Sequence, residues 1–450
     1  MSVALPARPT VSDADLLDTL VHRRRGRAPR GTHRMAALCH ALGDPQAHLR
    51  IARVAGTGGK TSIVRIMSSL FTALGVVCGE TTSPHLQHAS ERIRLDGHTV
   101  RPELVAARWR DLQDAIAMAE AQTGESVTFF EAITGLALRL FADRQVELAV
   151  VEAGIGGITD ATGALPSGVV VLSRVGYDHP ELGADLAQVA REKAGIVAPG
   201  GVLVCAAQEP SAAVVIEGVV ADRDATLLRA GRDFGVDTRR LVPGGQLVGL
   251  RGLDGSGIRG FLPLRGAHQA ANAAVALAAV QSLLGTTDLD PVRIRAGLAA
   301  VNVPGRIEVV GRRDAADVIL DGAHDTDAME ALAGCLAENV PARPITVVFG
   351  VSGRRSPEPL LERLRGLDAR LIVTATGTPQ AMPVEELQRR AQLGGSGALP
   401  APDPVTALAS ATALTPAGGV IVVTGSLHLV GAVGLLLQDT DAQHGCATVP

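Results

Sequence analysis

The sequence predicts an α/β protein built on parallel sheets. Short runs rich in valine, leucine and isoleucine recur along the 450 residues, and glycine, polar residues and a helical pattern follow them. This alternation of strand, turn and helix is typical of βαβ units. Hydrophobic residues make up 46% of the chain but aromatic residues only 2%, so aliphatic side chains must fill the cores, as in buried parallel strands.

The first part of the chain predicts one sheet flanked by helices. Residues 14–42 contain helical pieces separated by a run of arginine, glycine and proline. Residues 51–55 form an apolar run that enters a glycine-rich turn, and an amphipathic helix is expected from Lys60 to about residue 74. Two further strands, a small antiparallel sheet and a long alanine-rich helix are expected at 148–152, 169–173, 237–262 and 267–284.

The same pattern restarts after Pro304 and Gly305 and predicts a second, smaller Rossmann-type domain. At roughly 100–200 residues per domain the length predicts two or three domains. We expect two, 1–302 with an N-terminal helical segment and 303–450. The segment 393–404, rich in glycine and proline, is expected to be a loop inside the second domain. The predicted strands of this domain lie at 318–320, 345–349, 371–373 and 420–423.

Charge, hydropathy and cysteine content argue against several classes of protein. The net charge of −4 argues against a nucleic-acid or anionic-membrane partner. The most apolar stretches, 270–284 and 418–437, are interrupted by polar residues, which favours buried elements over membrane spans. The start of the chain shows no signal peptide. The five cysteines have no paired metal-binding spacing, so a reducing, cytoplasmic location is expected.

Lysine is almost absent from this arginine-rich chain. All but two of the 42 basic residues are arginine, and the two lysines are Lys60 and Lys193. A compact ammonium reaches a terminal phosphate, and a lysine amine can lose its proton and be modified, whereas a guanidinium stays charged. The two lysines are therefore candidates for chemistry that arginine cannot perform.

Lys60 belongs to a glycine-rich run between a predicted strand and a predicted helix. Such a loop presents backbone N–H groups and a helix N-terminus to a phosphate, and its hydroxyls can help to hold Mg²⁺. The strict Walker pattern requires glycine where this chain has Val54, so this is not a standard nucleoside-triphosphatase loop. The predicted phosphate loop consists of Gly56, Thr57, Gly58, Gly59, Lys60, Thr61 and Ser62.

Polar segments follow three other apolar runs, at 81–85, 152–157 and 176–179. Open α/β sheets bind ligands beyond the carboxyl ends of their strands. Hydroxyl, carboxylate and imidazole groups are all possible ligands of Mg²⁺, which prefers oxygen. Together with the phosphate loop, the three segments indicate a metal–nucleotide site.

In chain order, these motifs resemble those of the folylpolyglutamate synthase/dihydrofolate synthase family, which belongs to the Mur ligase superfamily of ATP-dependent amide ligases. The resemblance covers nearly the whole chain, and the combination of motifs is specific. It is carried by residues 54–60, 82–86, 91–97, 128–131, 152–162, 178–179, 191–196, 268–273, 304–306, 321–324 and 424–427.

The resemblance implies a Mur-ligase-like fold, in which a P-loop-type parallel-sheet domain that binds ATP precedes a smaller Rossmann-like domain. It implies that ATP converts a substrate carboxylate to an acyl phosphate, which the amine of an amino acid then attacks. The implied cofactors are ATP and two Mg²⁺ ions, and Lys193 matches the lysine that is carbamylated in this superfamily. The implied partners are small-molecule carboxylate and amino acid substrates, and a monomer is expected.

The resemblance also implies individual roles. Catalysis is assigned to Lys60, Lys193 and His324, and Mg²⁺ to Ser83, Glu152, His179 and, if carbamylated, Lys193. Besides the phosphate loop, ATP is assigned to His268, Gln269, Asn272, Arg306 and Asp321. The substrates are assigned to Thr82, Pro84, His85, Phe129 and Ser426. Two of these assignments keep a structural alternative, since Asn272 can bridge within its helix and Ser426 can cap the next one.

The chain departs from the family pattern at three places. Gly58 and Gly163 each stand where the family has asparagine, and residues 325–327 read Asp-Thr-Asp in place of Asn-Pro-His. Asp325 adds a carboxylate beside the implied acyl-phosphate site, which either repels the carboxylate of glutamate or favours an amine. The activation chemistry is therefore better supported than the identity of the substrates.

Three hypotheses follow for the function. The first is the addition of L-glutamate to a folate-type carboxylate, either dihydropteroate or a folate. The second is a Mur-type paralogue that joins an amino acid to a non-folate small carboxylate in specialised metabolism. The third is a nucleotide-binding regulator that has lost turnover, against which the intact Lys60, Glu152, His179 and Lys193 argue.

Overall fold

The computed structural model describes residues 13–21, 23, 30–177, 180–311, 316–395 and 397–444. These described residues form three sheets, of eight, three and six strands. The two larger sheets are mainly parallel and the small sheet between them in sequence is antiparallel. The structure is thus the α/β fold that the sequence predicts, with two mainly parallel sheets and a small antiparallel one.

The first sheet places the strand before the phosphate loop at its centre. Its strands are β1 (Arg50–Ala55), β2 (Cys78–Thr81), β3 (Ile93–Leu95), β4 (His98–Thr99), β5 (Leu148–Glu152), β6 (Val169–Leu172), β7 (Val202–Cys205) and β8 (Thr226–Arg229). Their spatial order is β4-β3-β2-β5-β1-β6-β7-β8. Because β1 pairs in parallel with β5 and β6, and β5 with β2, the carboxyl ends of these four strands share one edge of the sheet.

Helices cover both faces of this sheet because its central strands are apolar on both faces. In β5, Val150 belongs to one core and Val151 to the other, as the alternation of side chains along a strand requires. The helices are α1 (Asp13–Leu20), α2 (His33–Ala41), α3 (Lys60–Leu74), α4 (Pro102–Thr123), α5 (Phe129–Asp143), α6 (Leu186–Ala194) and α7 (Pro210–Asp222).

The predicted antiparallel sheet and the alanine-rich helix are both present. The sheet consists of β9 (Gly235–Val242), β10 (Gly245–Arg251) and β11 (Gly257–Leu262), and it packs on α8 (Ala267–Leu284) and α9 (Pro291–Ala299). The buried alanines of α8 allow this helix to lie close against α3. Helix α8 thereby reaches the side of the phosphate loop.

The second domain repeats the α/β pattern on a six-stranded sheet. Its strands are β12 (Glu308–Val310), β13 (Asp317–Leu320), β14 (Ile345–Phe349), β15 (Arg370–Thr374), β16 (Ala398–Ala401) and β17 (Val420–Thr424), in the spatial order β12-β13-β17-β14-β15-β16. Only β12 is antiparallel to its neighbour. The helices are α10 (Thr326–Asn339), α11 (Glu358–Leu364), α12 (Val384–Leu393), α13 (Pro404–Leu414) and α14 (Leu427–His444).

Short 3₁₀ turns occur in both domains. They lie at Pro45–His48, Ala89–Arg92, Ala161–Ala164, Pro180–Leu182 and Arg365–Leu367.

One expectation about the second domain is wrong. The segment 393–404, predicted to be a loop, contains strand β16, which pairs in parallel with β15 at the edge of the sheet. Pro400 opposes Val373 in this pairing. A proline is tolerated at a sheet edge because only one side of an edge strand must supply hydrogen bonds. The glycine and proline content concealed the strand.

The two most apolar stretches are buried elements of the fold, as expected. Residues 270–284 belong to α8, and 418–437 include β17 and much of α14. Val420–Thr424 is buried throughout. Among the described helices, none is both long and apolar enough to cross a membrane.

Candidate active site

A cleft of about 1010 Å³ lies between the two domains and collects most of the predicted site residues. The first domain contributes the phosphate loop and the segments after β2 and β5, and the second domain contributes the segment after β13 and the start of α14. The predicted residues that line the cleft are Thr57, Gly58, Gly59, Lys60, Thr61, Ser62, Ser83, Pro84, His85, Phe129, Glu152, His268, Gln269, Asn272, Arg306, Asp321 and His324. Gly56, Thr82, Lys193 and Ser426 lie outside this lining, and His179 lies outside the described residues.

The phosphate loop joins β1 to α3 in a conformation that requires glycine. Gly56 has a φ of +134°, and a Cβ there would lie 1.9 Å from Ser173 Oγ. The next residue is held in place because the Thr57 N–H donates to Arg174 O over 2.8 Å and Thr57 Oγ1 donates to Gly176 O over 2.9 Å. The first N–H groups of α3 have no acceptor within the helix, so they are available to an anion.

Both lysines of the chain donate to the same backbone oxygen. Lys60 Nζ lies 3.1 Å from Gly56 O and 3.1 Å from Thr57 O. Lys193 Nζ lies 2.7 Å from Gly56 O, and its residue is only 1% exposed. Lys60 therefore lies within the loop, facing the cleft, while Lys193 supports the loop from behind.

Helix α6 carries Lys193 to this position by packing closely on the segment after β5. A Cβ on Gly157 would lie 2.4 Å from Glu192 O, so glycine is needed for the approach. Glu192 Oε1 accepts hydrogen bonds from the Thr159 N–H over 2.9 Å and from Thr159 Oγ1 over 2.7 Å. These contacts bring the lysine within reach of a loop that lies 137 residues earlier in the sequence.

Glu152 ends β5 beside the phosphate loop and is almost fully buried. Its two oxygens lie 3.1 and 3.0 Å from Thr61 Oγ1, and Oε2 accepts the Ser83 N–H over 3.0 Å. Burial raises the pKa of this carboxyl, while the charge of Lys60 opposes the rise. Carboxylate and hydroxyl oxygens in one place are the donor set that a hard cation prefers.

The Glu152 carboxylate and the adjacent Thr61 hydroxyl therefore fit a Mg²⁺ ion, and Ser83, whose N–H contacts the same carboxylate, also lines the cleft. Among the described residues, no group of three or more His, Cys, Asp and Glu side chains is placed to hold a metal. His179, another predicted ligand, lies outside the described residues.

Helix α8 contributes three of the predicted ATP contacts to the cleft. Asn272 Nδ2 donates to Gln269 Oε1 over 3.1 Å, which is the bridge within the helix that the sequence leaves open. Asn272 also lies against the phosphate loop, because its Oδ1 is 2.7 Å from the position that a Cβ on Gly59 would take. Burial, with the charges of Arg239 and Arg306, lowers the pKa of His268 to about 4, so this imidazole is neutral near pH 7.

The connection between the domains places Arg306 and Asp321 at the cleft. Ile307 has a φ of +50°, which is unusual for a β-branched residue. The Asp321 carboxylate accepts the Ile307 N–H over 2.9 Å and the Ala323 N–H over 2.8 Å, so it holds the connection against the second sheet. Burial raises the pKa of Asp321 to about 6, and the nearby Arg306 opposes the rise.

The start of α10 also lines the cleft. His324 Nδ1 lies 2.7 Å from Gly322 O. Asp325 Oδ1 accepts the Ala328 N–H over 2.8 Å, so this departure from the family pattern caps the helix. Asp327 Oδ2 lies 3.8 Å from Arg174 Nη2, across the cleft in the first domain.

The remaining predicted substrate residues fall into two groups. In the cleft, Arg92 Nε donates to His85 Nδ1 over 2.9 Å and the Arg92 guanidinium lies 4.8 Å from the centre of the Phe129 ring. Outside the lining, Thr82 is buried and lies 3.4 Å from Arg65 Nη2. Ser426 Oγ accepts the His428 N–H over 3.2 Å at the start of α14, which is the capping role that the sequence leaves open.

Several residues that line the cleft were not among the predicted site residues. Arg34 and Glu131 form a buried ion pair, with Arg34 Nε 3.0 Å from Glu131 Oε1. Asp160 shapes the segment after β5, since its Oδ2 accepts the N–H groups of Gly154 and Ile155 over 3.0 Å each. Glu131 and Asp160 lie inside motifs that carry the resemblance, whereas nothing in the sequence links Arg34 to Glu131.

Comparison with known proteins agrees with this fold and site. The Mur ligase middle domain matches residues 54–280, and the Mur ligase glutamate ligase domain matches residues 305–427. The dihydrofolate synthase/folylpolyglutamate synthase of Mycobacterium tuberculosis is 38% identical over 371 residues, which cover 79% of this chain and 76% of that protein. The folylpolyglutamate synthase of Lacticaseibacillus casei is 34% identical over 414 residues, which cover 90% of this chain and 94% of that protein.

The structure of Mycobacterium tuberculosis folylpolyglutamate synthase in complex with ADP superimposes with a TM-score of 0.88 at 36% identity. The match covers 95% of this chain and 99% of that one. The fold and the cleft thus define an ATP-dependent ligase of the Mur ligase type, which forms a C–N bond and releases ADP. The chain belongs to the folylpolyglutamate synthase/dihydrofolate synthase family.

Proposed function

We propose that this protein joins L-glutamate to a folate-type carboxylate, either dihydropteroate or a folate, at the cost of ATP. One observation carries the proposal: the phosphate loop opens into the same cleft as Glu152, Arg306 and His324. The relatives reported above are named for dihydrofolate and folylpolyglutamate synthesis, which supports the choice of folate and glutamate.

The reaction begins with activation of the carboxylate. A carboxylate oxygen attacks the γ-phosphorus, the bond to the bridging oxygen of ADP breaks, and an acyl phosphate forms. Lys60 and the N–H groups at the start of α3 neutralise the phosphates, and Arg306 approaches them from the connection between the domains. The Glu152 carboxylate with the Thr61 and Ser83 hydroxyls would hold Mg²⁺. When bound, this ion neutralises charge on the phosphate oxygens.

The amide forms in the second step. The neutral amine of the amino acid attacks the acyl carbon, the C–O bond to phosphate breaks, and the nitrogen loses a proton that leaves with the phosphate as hydrogen phosphate. The ammonium form of the amino acid must first lose a proton, and we propose this role for His324, the predicted catalytic residue of the second domain that lines the cleft. The protein contributes mainly by positioning the two substrates and by excluding water from the acyl phosphate.

The finer assignments remain proposals of the same kind. The second Mg²⁺ ion, His179 as a ligand and the carbamate on Lys193 follow from the family resemblance. We propose that Lys193 also anchors the phosphate loop, because its amine contacts Gly56 O. The buried free thiols of Cys39, Cys78, Cys205 and Cys335 support the proposed cytoplasmic location, and the monomeric state stays a prediction.

A second candidate function is supported by the acidic start of α10. Asp325 and Asp327 both line the cleft where the family has asparagine and histidine, so the local charge is more negative. A Mur-type paralogue that accepts a different amino acid or a non-folate carboxylate is consistent with this change.

Release of ADP by the purified protein distinguishes these candidates. One set of reactions contains dihydropteroate or tetrahydrofolate with glutamate, and the other contains a panel of carboxylates and amino acids. Folate-dependent turnover is expected. Turnover only with another pair would favour the paralogue, and no ATP-dependent ligation with any pair would favour a regulator.

A further inference from the structure

One arginine links the second domain to the small antiparallel sheet. Arg239, on β9, forms a bidentate ion pair with Glu338 of α10, with Nη2–Oε2 and Nη1–Oε1 distances of 2.5 and 3.3 Å. Its third nitrogen, Nε, donates to Gln246 Oε1 over 2.6 Å. The Arg239 side chain is 20% exposed and the Glu338 side chain 42% exposed, so the guanidinium is the more shielded partner of this pair. A planar guanidinium can make all three bonds at once.

Gln246 connects Arg239 to the residues that immediately precede helix α8. The side chain of Gln246 is fully buried in β10. Its Nε2 donates to Leu264 O over 2.8 Å and to Gly266 O over 3.0 Å, immediately before α8 begins. The amide orientation is therefore fixed at both ends, since the oxygen accepts from Arg239 and the nitrogen serves two carbonyls.

The contact continues from Gly266 into the cleft. Gly266 has a φ of +95°, and a Cβ there would lie 2.6 Å from His268 Cε1, so the imidazole ring packs on this residue. His268 lines the cleft together with Gln269 and Asn272. At the other end of the network, α10 carries Glu338 near its last residue, and its N-cap Asp325 lines the cleft. The network thus begins and ends on elements that line the same cleft.

We propose that Arg239 is a positioning residue that couples the placement of the second domain to the start of α8, and so to nucleotide binding. The inference rests on the proposed ATP-dependent function. Without the guanidinium, the buried Gln246 oxygen loses its donor, and leaving such an acceptor unpaired is unfavourable. The amide then reorients, the carbonyls of Leu264 and Gly266 lose their donors, and Glu338 no longer fixes α10 against β9.

The neighbouring arginine provides a matched control. Arg240 follows on the same strand and is exposed, and successive side chains of a strand point to opposite faces. Arg240→Gln removes the same charge as Arg239→Gln without removing the network. For the other partner, Glu330 is an exposed carboxylate on α10, so Glu330→Gln is the control for Glu338→Gln.

The test measures the Kd for ATP by calorimetry, together with kcat and KM in the ADP-release assay. Arg239→Gln is expected to raise the Kd and KM for ATP about five- to ten-fold, and Glu338→Gln about three-fold. The double variant should resemble Arg239→Gln, because both substitutions break one network. Arg239→Lys should rescue little, since an ammonium cannot make the bidentate contact and the bond to Gln246 together.

Two results would overturn the inference: a Kd for Arg239→Gln equal to that of Arg240→Gln, or additive effects in the double variant. If Arg239→Gln fails to fold, the Kd for ATP of Glu338→Gln is compared with that of Glu330→Gln. Equal values would then overturn the inference. A wild-type protein that binds no ATP would refute the proposed function instead, so the two failures are distinguishable.

Discussion

Asn272 Oδ1 lies 2.7 Å from the position that a Cβ on Gly59 would occupy. Gly59 has a φ of +88°, a conformation that side chains rarely adopt. The phosphate loop and helix α8 therefore meet at a point where only glycine fits. Because the two elements bind different parts of the nucleotide in the proposed reaction, this contact sets their spacing.

The first prediction concerns this contact. Gly59→Ala should raise the Kd for ATP more than ten-fold, because the methyl group clashes with Asn272 and the backbone strain is of the order of 1–3 kcal/mol. Gly58 offers a matched control, since a Cβ there meets nothing within 4 Å. Gly58→Ala should bind ATP within about two-fold of the wild type, by calorimetric titration. Equal losses in both variants would contradict the spacing argument.

The second prediction concerns the buried lysine. Lys193→Ala should reduce kcat by roughly 10²-fold or more, because Gly56 O loses a buried donor and the implied carbamate cannot form. Short carboxylates such as acetate should restore part of the activity if a carbamate is required. Arg191→Ala, an exposed site on the same helix, is the control. Unaltered turnover in Lys193→Ala would remove both roles, and loss without rescue would leave only the anchoring of the loop.

The third prediction uses the pKa of Asp321, which burial raises to about 6. Because the folded-state pKa lies above the ordinary value, this group stabilises the fold fully below about pH 4, and the contribution is lost as the pH rises through about 6. Relative to Asp321→Asn, the wild type should therefore lose about 2–3 kcal/mol of unfolding free energy between pH 4 and pH 7.5. Urea denaturation at both pH values measures the difference, and a constant difference would contradict the raised pKa.

The fourth prediction concerns the cap of α10. Asp325→Asn restores the family residue and keeps an oxygen for the Ala328 N–H, so stability should change by less than about 0.5 kcal/mol. Asp325→Ala loses the cap and should cost about 1 kcal/mol, as measured by thermal unfolding. If the carboxylate repels glutamate, Asp325→Asn should also lower the KM for glutamate several-fold. An unchanged KM would assign Asp325 to capping alone.

Much of this architecture could be predicted because it depends on local patterns. The glycine-rich turn with its helix from Lys60, the alanine-rich helix 267–284 and the strand at 345–349 match the structure closely. Strand β16 escaped prediction because its glycine- and proline-rich surroundings are typical of a loop, and only pairing with β15 makes it a strand. Local composition does not report such long-range pairing.

The sequence by itself determined the α/β class and the phosphate loop. It also distinguished Lys60 and Lys193, because they are the only two lysines of the chain. These depend on residue type and spacing along the chain. Only the tertiary structure decided that Lys193 meets Lys60 at Gly56 O and that Arg239 joins Glu338 to Gln246. The physical reason is that such contacts join residues up to 137 positions apart, and packing of the sheets and helices alone sets their distances.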